Sequence, residues 1–193
     1  ARQHEFNNRM MAIEAAVVSA DTIEEARKEV TALTGSIGIS LNDRELLSCD
    51  SKMIAGMLFG KIKQAEAANR HIELSLHGLF KKTVTPETEW IEAIGILLDN
   101  AIEASPKGST VFLSSKKQGN FLKLTVANPA PPLSNTEFMA LFGKGVTTKA
   151  SRDGHGFGLY NILRMTERYH GKILTRNESI LNENYVVFGI LMP

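Results

Sequence analysis

The sequence predicts an α+β protein in two parts, an antiparallel helical hairpin over residues 1–48 and a two-layer α/β sandwich over residues 49–193. Three observations predict it. Apolar residues near the start of the chain recur in steps of four and three, the narrow stripe of helices that pack on one another. From His71 the pattern changes to strict alternation, the period of a half-buried strand. The later strands lack the alternating β-α-β-α rhythm of a doubly wound parallel sheet, which leaves a mixed or antiparallel one.

Phe6, Met10, Ile13 and Val17 form the first stripe, and Ile23, Ala26, Val30, Leu33 and Ile37 form the second. Between them Ala20-Asp21 interrupts the helix, and Thr22 with Glu25 has the form of a capping box. Two such helices across a tight turn make a hairpin. Alone they cannot cover both flanks of their stripes, so a homodimer closing a four-helix bundle through these helices is expected. Gly35, Gly38 and Asn42-Asp43 weaken the pattern and place the boundary between the parts near residue 48.

Ile54, Leu58, Ile62 and Ala65 mark the next helix, and His71–Leu79 a strand with Ile72, Leu74 and Leu76 on one face. Thr85-Pro86-Glu87 predicts a helix start, with Thr85 as N-cap, proline at the first position and an acid in the first turn. That helix stops near Pro106-Lys107-Gly108. Thr110–Ser115 and Phe121–Ala127 read as strands joined by a turn containing Gly and Asn. Residues 128–154 are rich in Pro, Gly, Ser and Thr around a short apolar patch at Phe138–Phe142, as in a functional loop or lid. A helix over His155–His170 and a hairpin of Lys172–Arg176 with Tyr185–Met192 close the chain.

Composition excludes several classes. A 43% apolar fraction fills a core, and the net charge of +1 carries no footprint for nucleic acid or an anionic membrane. Cys49 is the sole cysteine, which rules out an internal disulfide framework and fits a reducing compartment. No apolar run approaches the roughly 20 residues of a spanning helix. The start Ala1-Arg2-Gln3-His4, with neither leader nor initiator methionine, is expected of a fragment of a longer protein.

Four places can carry chemistry. In Ile96–Ser105, Asp99, Asn100 and Glu103 stand within one turn of an otherwise core-facing helix. Polar groups there need a partner, either a ligand or metal or a structural hydrogen-bond network. Gly154-His155-Gly156-Phe157-Gly158-Leu159 opens a helix and is either a close-approach loop aimed at an anion or a flexible loop ending in a cap. Asn128, before Pro129, can bond a ligand edge or simply make a turn, and Lys144, Thr147, Thr148 and Lys149 are either lid contacts or solvated polar residues. At the chain start, His4 has Glu5 beside it and Asn8 one turn along, the surroundings of an oriented nucleophilic imidazole or an ordinary polar helix start.

Taken in order, these pieces resemble the catalytic half of a sensor histidine kinase, which joins a dimerisation and phosphotransfer hairpin to an ATP-binding domain of the gyrase, chaperone, kinase and mismatch-repair superfamily. Leu98–Ala104 looks like the N box, Asn128 stands at the adenine-reading position of the G1 box, Phe138–Phe142 resembles the F box and Gly154–Leu159 the G2 box. His4-Glu5-x-x-Asn8 matches the phosphoacceptor motif. The Asp-Asn-Ala-Ile-Glu-Ala form and Asn128 look most like the quorum-sensing, Agr-like subgroup. Two departures stand out: Ile96 replaces the first Asn of many N boxes, and Asn128-Pro129-Ala130-Pro131-Pro132 replaces Asp-x-Gly-x-Gly.

The resemblance implies ATP-dependent autophosphorylation of His4 and transfer to an aspartate on a response-regulator receiver domain. Asn100 would ligate Mg²⁺, with Glu103 or Asp99 holding its water shell. Asn128 would read adenine; Gly154, Gly156, Phe157, Gly158 and Leu159 would form the phosphate loop, with Lys144, Thr148 and Lys149 in the lid. Glu5 would orient His4, and Asn8 would position a water for the reverse reaction. The cytoplasmic chain would reach a membrane only through an upstream sensor segment. The alternative is a non-catalytic nucleotide-binding dimerisation module.

Overall fold

The computed structural model describes residues 11–15, 17–23, 25–26, 28, 30, 40–143, 158–180 and 182–193. The chain divides into two compact units, Ala1–Asp43 and Arg44–Pro193.

In the first unit the described residues are helical up to residue 19 and again from residue 23. The Thr22 hydroxyl accepts from the Glu25 N–H at 3.1 Å, and the Glu25 carboxylate accepts from the Asp21 N–H at 3.3 Å. The capping-box pattern thus starts the second helix, with the return bond shifted one residue upstream. Phe6, Met10, Leu33 and Ile37 lie outside the described residues.

The second unit begins earlier than the boundary at 48 expected from sequence. Helix α1 (Leu41–Ser48) places Leu46 in the core of this unit, and the Glu45 carboxylate accepts the Leu76 N–H. Helix α2 (Lys52–Ala67) buries Ile54, Leu58, Ile62 and Ala65, the four positions its periodicity marks, and starts where the Ser51 hydroxyl accepts from the Ile54 N–H. Strand β1 (His71–His77) alternates as expected, with Ile72, Leu74 and Leu76 inward.

Helix α3 (Glu87–Ala104) buries Trp90, Ala93, Ile94, Leu97, Leu98, Ala101 and Ile102. Its start corrects the sequence expectation. Pro86, not Thr85, is the N-cap, and its carbonyl accepts from the Glu89 and Trp90 N–H groups. Thr85 instead donates its hydroxyl to the Pro193 carbonyl at 3.0 Å, which also accepts from the Val84 and Thr85 N–H groups. The end of the last strand competes for Thr85 and wins.

Strands β2 (Thr110–Gln118) and β3 (Phe121–Pro129) run longer than expected, around Gly119 at φ +60°. Helix α4 (Asn135–Leu141) lies inside the segment expected to be loop. Helix α5 (Gly158–Arg168) precedes the hairpin of β4 (Lys172–Ile180) and β5 (Glu183–Met192).

The sheet order is β1-β2-β3-β5-β4, parallel between β1 and β2 and antiparallel elsewhere. Register fixes its two faces. Leu76, Ser115, Leu124, Ile190 and Ile173 form one row across all five strands, and Leu74, Leu113, Val126, Phe188 and Thr175 form the next. These rows meet α2, α3 and α5, giving one helical layer on a mixed sheet. No helix among the described residues is long and apolar enough to cross a membrane.

Candidate functional site

Helix α3 carries two kinds of residue because it is packed on one side only. Leu97, Leu98, Ala101 and Ile102 face the core. Glu89, Glu92, Ala93 and Ile96 line a cleft of about 240 Å³ shared with Asn161, Ile162, Met165 and the two arginines of α5. Asn100 follows Ile96 by four residues and so continues this ridge, about 6 Å further along the axis.

Gly158 shows what lies beside that ridge. A Cβ on Gly158 would sit 2.9 Å from Ile96 Cγ2, so the first turn of α5 rests directly on Ile96. Helices α3 and α5 run antiparallel, since at the other end Glu89 accepts from Arg168 at 3.3 Å and from the Tyr169 hydroxyl at 3.2 Å. The N-terminal end of α5, the positive end of its dipole, therefore opens toward the turn that carries Asn100. The departure at Ile96 has a structural counterpart: an apolar side chain stands where α5 starts, and the glycine leaves room for it.

The polar residues of α3 are not equivalent. Asp99 accepts from Lys61 of α2 at 2.6 Å, a half-exposed ion pair that ties the two helices together. Among the described residues Asn100, half-buried, has no such tie. Glu103 is exposed. Of the two acids considered for a metal's water shell, Asp99 is committed to Lys61. Sequence reasoning missed Lys61, because no periodicity reveals a partner 38 residues away.

Asn128 lies within β3, not in a turn beyond it, and shares the helix-facing side with Leu122, Leu124 and Val126. It is 4% exposed, and the only hydrogen bond of its side chain to a described residue is a weak one from Nδ2 to the Pro129 carbonyl at 3.4 Å. Helix α3 ends into the loop that starts β2, and Phe112 of β2 pairs with Ala127, so Asn100 and Asn128 belong to the same end of the unit.

Beyond Asn128 the missing glycines are replaced by a held extended segment. Pro131 and Pro132 have no N–H to pair. Asn184 donates to the Ala130 carbonyl at 2.8 Å, and Asn177 grips Leu133 at both backbone groups, at 3.0 and 2.8 Å. The segment then enters α4 through a full capping box of Ser134 and Glu137. Hydrogen bonds from the Ser134 backbone and hydroxyl hold the Glu137 carboxyl below its ordinary 4.5. The Ser-x-x-Glu spacing was legible in the sequence and signals this helix. Phe138 meets Phe188 edge-to-face and Phe142 lies tilted against it, with ring centroids 5.6 and 6.0 Å away, fixing α4 against β5 beside Val126.

Gly158 and Leu159 are placed as described, with Leu159 packed on the core. His4, Glu5, Asn8, Lys144, Thr147, Thr148, Lys149, Gly154, Gly156 and Phe157 lie outside the described residues.

Comparison with known proteins shows what the chain is similar to. Sensor histidine kinase CitA of Klebsiella pneumoniae is 31% identical over 150 residues, covering 72% of this chain and 25% of the relative. Sensor histidine kinase DpiB of Escherichia coli K12 is 31% identical over 152 residues, covering 74% of this chain and 26% of the relative. The chain thus spans about a quarter of the length of these relatives. Among solved structures, the catalytic domain of histidine kinase ThkA superposes with a TM-score of 0.63 at 22% identity, over 74% of this chain and 90% of that one, and shares its fold. The family described as GHKL domain matches residues 88–193, from the first turn of α3 to the last residue of the sequence. The chain belongs to the GHKL domain family.

Proposed function

We propose that this chain is the cytoplasmic catalytic region of a two-component sensor histidine kinase that phosphorylates His4 with ATP and passes the phosphoryl group to a receiver-domain aspartate. The observation that carries this reading is the juxtaposition at one end of the sheet: buried Asn128 on the helix-facing side, Asn100 on α3, and the start of α5 against Ile96.

Phosphoryl transfer asks mainly for positioning and neutralisation of charge. Asn128 offers an amide edge able to accept from and donate to adenine. Gly154, Gly156, Phe157, Gly158 and Leu159 cradle the phosphates at the positive end of α5, and Lys144, Thr148 and Lys149 add charge and donors. Asn100 supplies a hard oxygen. The described residues contain no group of three or more His, Cys, Asp or Glu able to hold a metal. That suits Mg²⁺, which takes one or two protein ligands with phosphate oxygens and waters. Bound there, Mg²⁺ would neutralise the phosphate charge. Glu103 would hold its water shell, Glu5 orient His4, and Asn8 position a water for dephosphorylation.

Residues 1–48 serve in this reading as the dimerisation and phosphotransfer hairpin, and residues 49–193 as the ATP-binding domain. Exposed Met11, Val17, Val18 and Ile23 in the first unit support a homodimer through these helices. A membrane-anchored sensor segment lies upstream in the whole protein. Its Agr-like, quorum-sensing character is supported only by the Asp-Asn-Ala-Ile-Glu-Ala form and Asn128. The second reading, a nucleotide-binding module without turnover, is kept by the Asn128–Pro132 segment.

Incubation with radiolabelled ATP and Mg²⁺ tests the proposal. Acid-labile, base-stable phosphate on the wild type, absent from His4→Gln, is the expected result. Label that persists in His4→Gln overturns it, and nucleotide binding without any label favours the second reading.

A further inference from the structure

We propose that the sheet end opposite Asn100 and Asn128 is a docking surface for an anionic phospholipid bilayer. The outward-facing row at that end runs His77, Lys116, Lys123, Leu191, Lys172, one residue from each of the five strands. Four strand spacings make it about 19 Å long. It contains three lysines and a histidine, with no acid. The next outward row, Ser75, Ser114, Thr125, Gly189 and Leu174, is uncharged, so nothing on this part of the face offsets the row.

More cations gather at the same end. Lys117 follows Lys116, and the short 3₁₀ turn Phe80–Lys82 carries Lys81 and Lys82. A Cβ on Gly78 would lie 3.6 Å from the Lys116 backbone nitrogen, and Val84 donates to the Pro193 carbonyl, which brackets this turn against the strand ends. Lys81, Lys82, Lys116, Lys117, Lys172 and His77 are exposed. None of these lysines, nor Lys123, forms an ion pair with a described residue. Two carboxylates lie near this turn, and neither forms an ion pair with these lysines: Asp50 accepts the Phe80 and Lys81 N–H groups, and Glu87 has Oε1 buried.

Two features say that this is more than a solvated face. Lys116 and Lys123 are directly opposed across antiparallel strands, an arrangement that costs stability. Large apolar side chains are also exposed among the cations: Leu79 at 44% and Val84 at 76%, on either side of Lys81-Lys82. The whole-chain charge of +1 hides this, because the fold sorts the lysines to one end.

The chemistry selects the occupant. Lysine is a hydrated point charge suited to a diffuse anionic field, whereas paired carboxylates on a protein are better matched by arginine. Single-stranded nucleic acid asks for successive stacking rings, and among the described residues Phe121, half-buried, is the one aromatic at this end of the outward face. Six lysines beside exposed Leu79 and Val84 match a bilayer interface, where basic clusters of this size hold anionic headgroups and apolar side chains enter the acyl boundary.

The test is co-sedimentation of the full chain with phosphatidylcholine vesicles, with and without about one-third phosphatidylserine. Binding that requires phosphatidylserine and vanishes in 1 M NaCl, where the Debye length is about 3 Å, is expected. At about fivefold per lysine, Lys116→Gln/Lys123→Gln and Lys81→Gln/Lys82→Gln should each weaken it at least tenfold. Leu79→Ser/Val84→Ser should weaken it as well, and Lys63→Gln, on α2, should leave it unchanged. Equal binding to neutral vesicles, or full binding by both lysine pairs with melting temperatures preserved, overturns the proposal. So does retention by nucleic acid or an acidic protein while vesicles stay free.

Discussion

The two ends of one sheet place their polar groups in opposite ways. At the Asn128 end they are enclosed and few: a 4% exposed amide on β3, a half-buried amide on α3, and a helix start pressed on Ile96. At the Lys116 end they are many, and the outward row carries cations without an acid. Enclosed dipoles on rigid elements read the shape of one ligand; exposed like charges read a field. The same register that aims Asn128 inward aims Lys123 outward, five residues earlier on the same strand.

That contrast can be broken experimentally, beginning with the largest effect. Phe138→Ala should destabilise by about 3 kcal/mol, because it opens a buried site under α4 and removes the ring that meets Phe188. Denaturant unfolding measures it, and nucleotide affinity should fall in parallel. Asn100→Ala should act differently. Labelling should drop by about a hundredfold, the scale of losing a positioned polar group (~2.7 kcal/mol), while the melting temperature stays near wild type. A comparable loss of stability would show that Asn100 serves the fold.

Gly158→Ala should cost about 1 kcal/mol or more, since the new Cβ meets Ile96 Cγ2 at 2.9 Å. Added to Ile96→Ala it should cost little, and the double-mutant cycle gives the coupling directly. At the other end the sign reverses. Lys116→Glu should stabilise by a few tenths of a kcal/mol by turning an opposed like pair with Lys123 into an attractive one. A destabilised Lys116→Glu would mean that the lysines support the fold.

The smallest effect is acid loosening of α4. Glu137 has its carboxyl pKa lowered by bonds from Ser134. Its contribution is therefore complete above its ordinary 4.5 and is lost as pH falls through the depressed folded value. Amide protection over residues 135–141, taken relative to the intrinsic exchange rate at each pH, should fall in that window in the wild type, and Glu137→Gln should remove this fall.

Much of this was legible before any coordinates. Ile54, Leu58, Ile62 and Ala65 on α2, and Ile72, Leu74 and Leu76 on β1, are buried as their spacing predicts, because burial on one face imposes the period of the element. The family match over residues 88–193 agrees with the family resemblance read from that stretch. Where sequence reading failed, a neighbour distant in sequence decided the outcome. Thr85 has the form of an N-cap yet donates to Pro193, and Asp99 has the form of a site acid yet pairs with Lys61. The helix Asn135–Leu141 was lost to the surrounding prolines although its capping box was in view.

The sequence by itself determined where most helices and strands lie, which faces are apolar, and the order of the motifs. Those properties are local, carried by period, caps and side-chain type within a few residues. Only the tertiary structure decided that Gly158 rests on Ile96, and that Asn177 and Asn184 hold the proline segment. It alone aligned Lys116, Lys123 and Lys172 in one row. Strand order and register bring those groups together, and neither is written in any window of the chain.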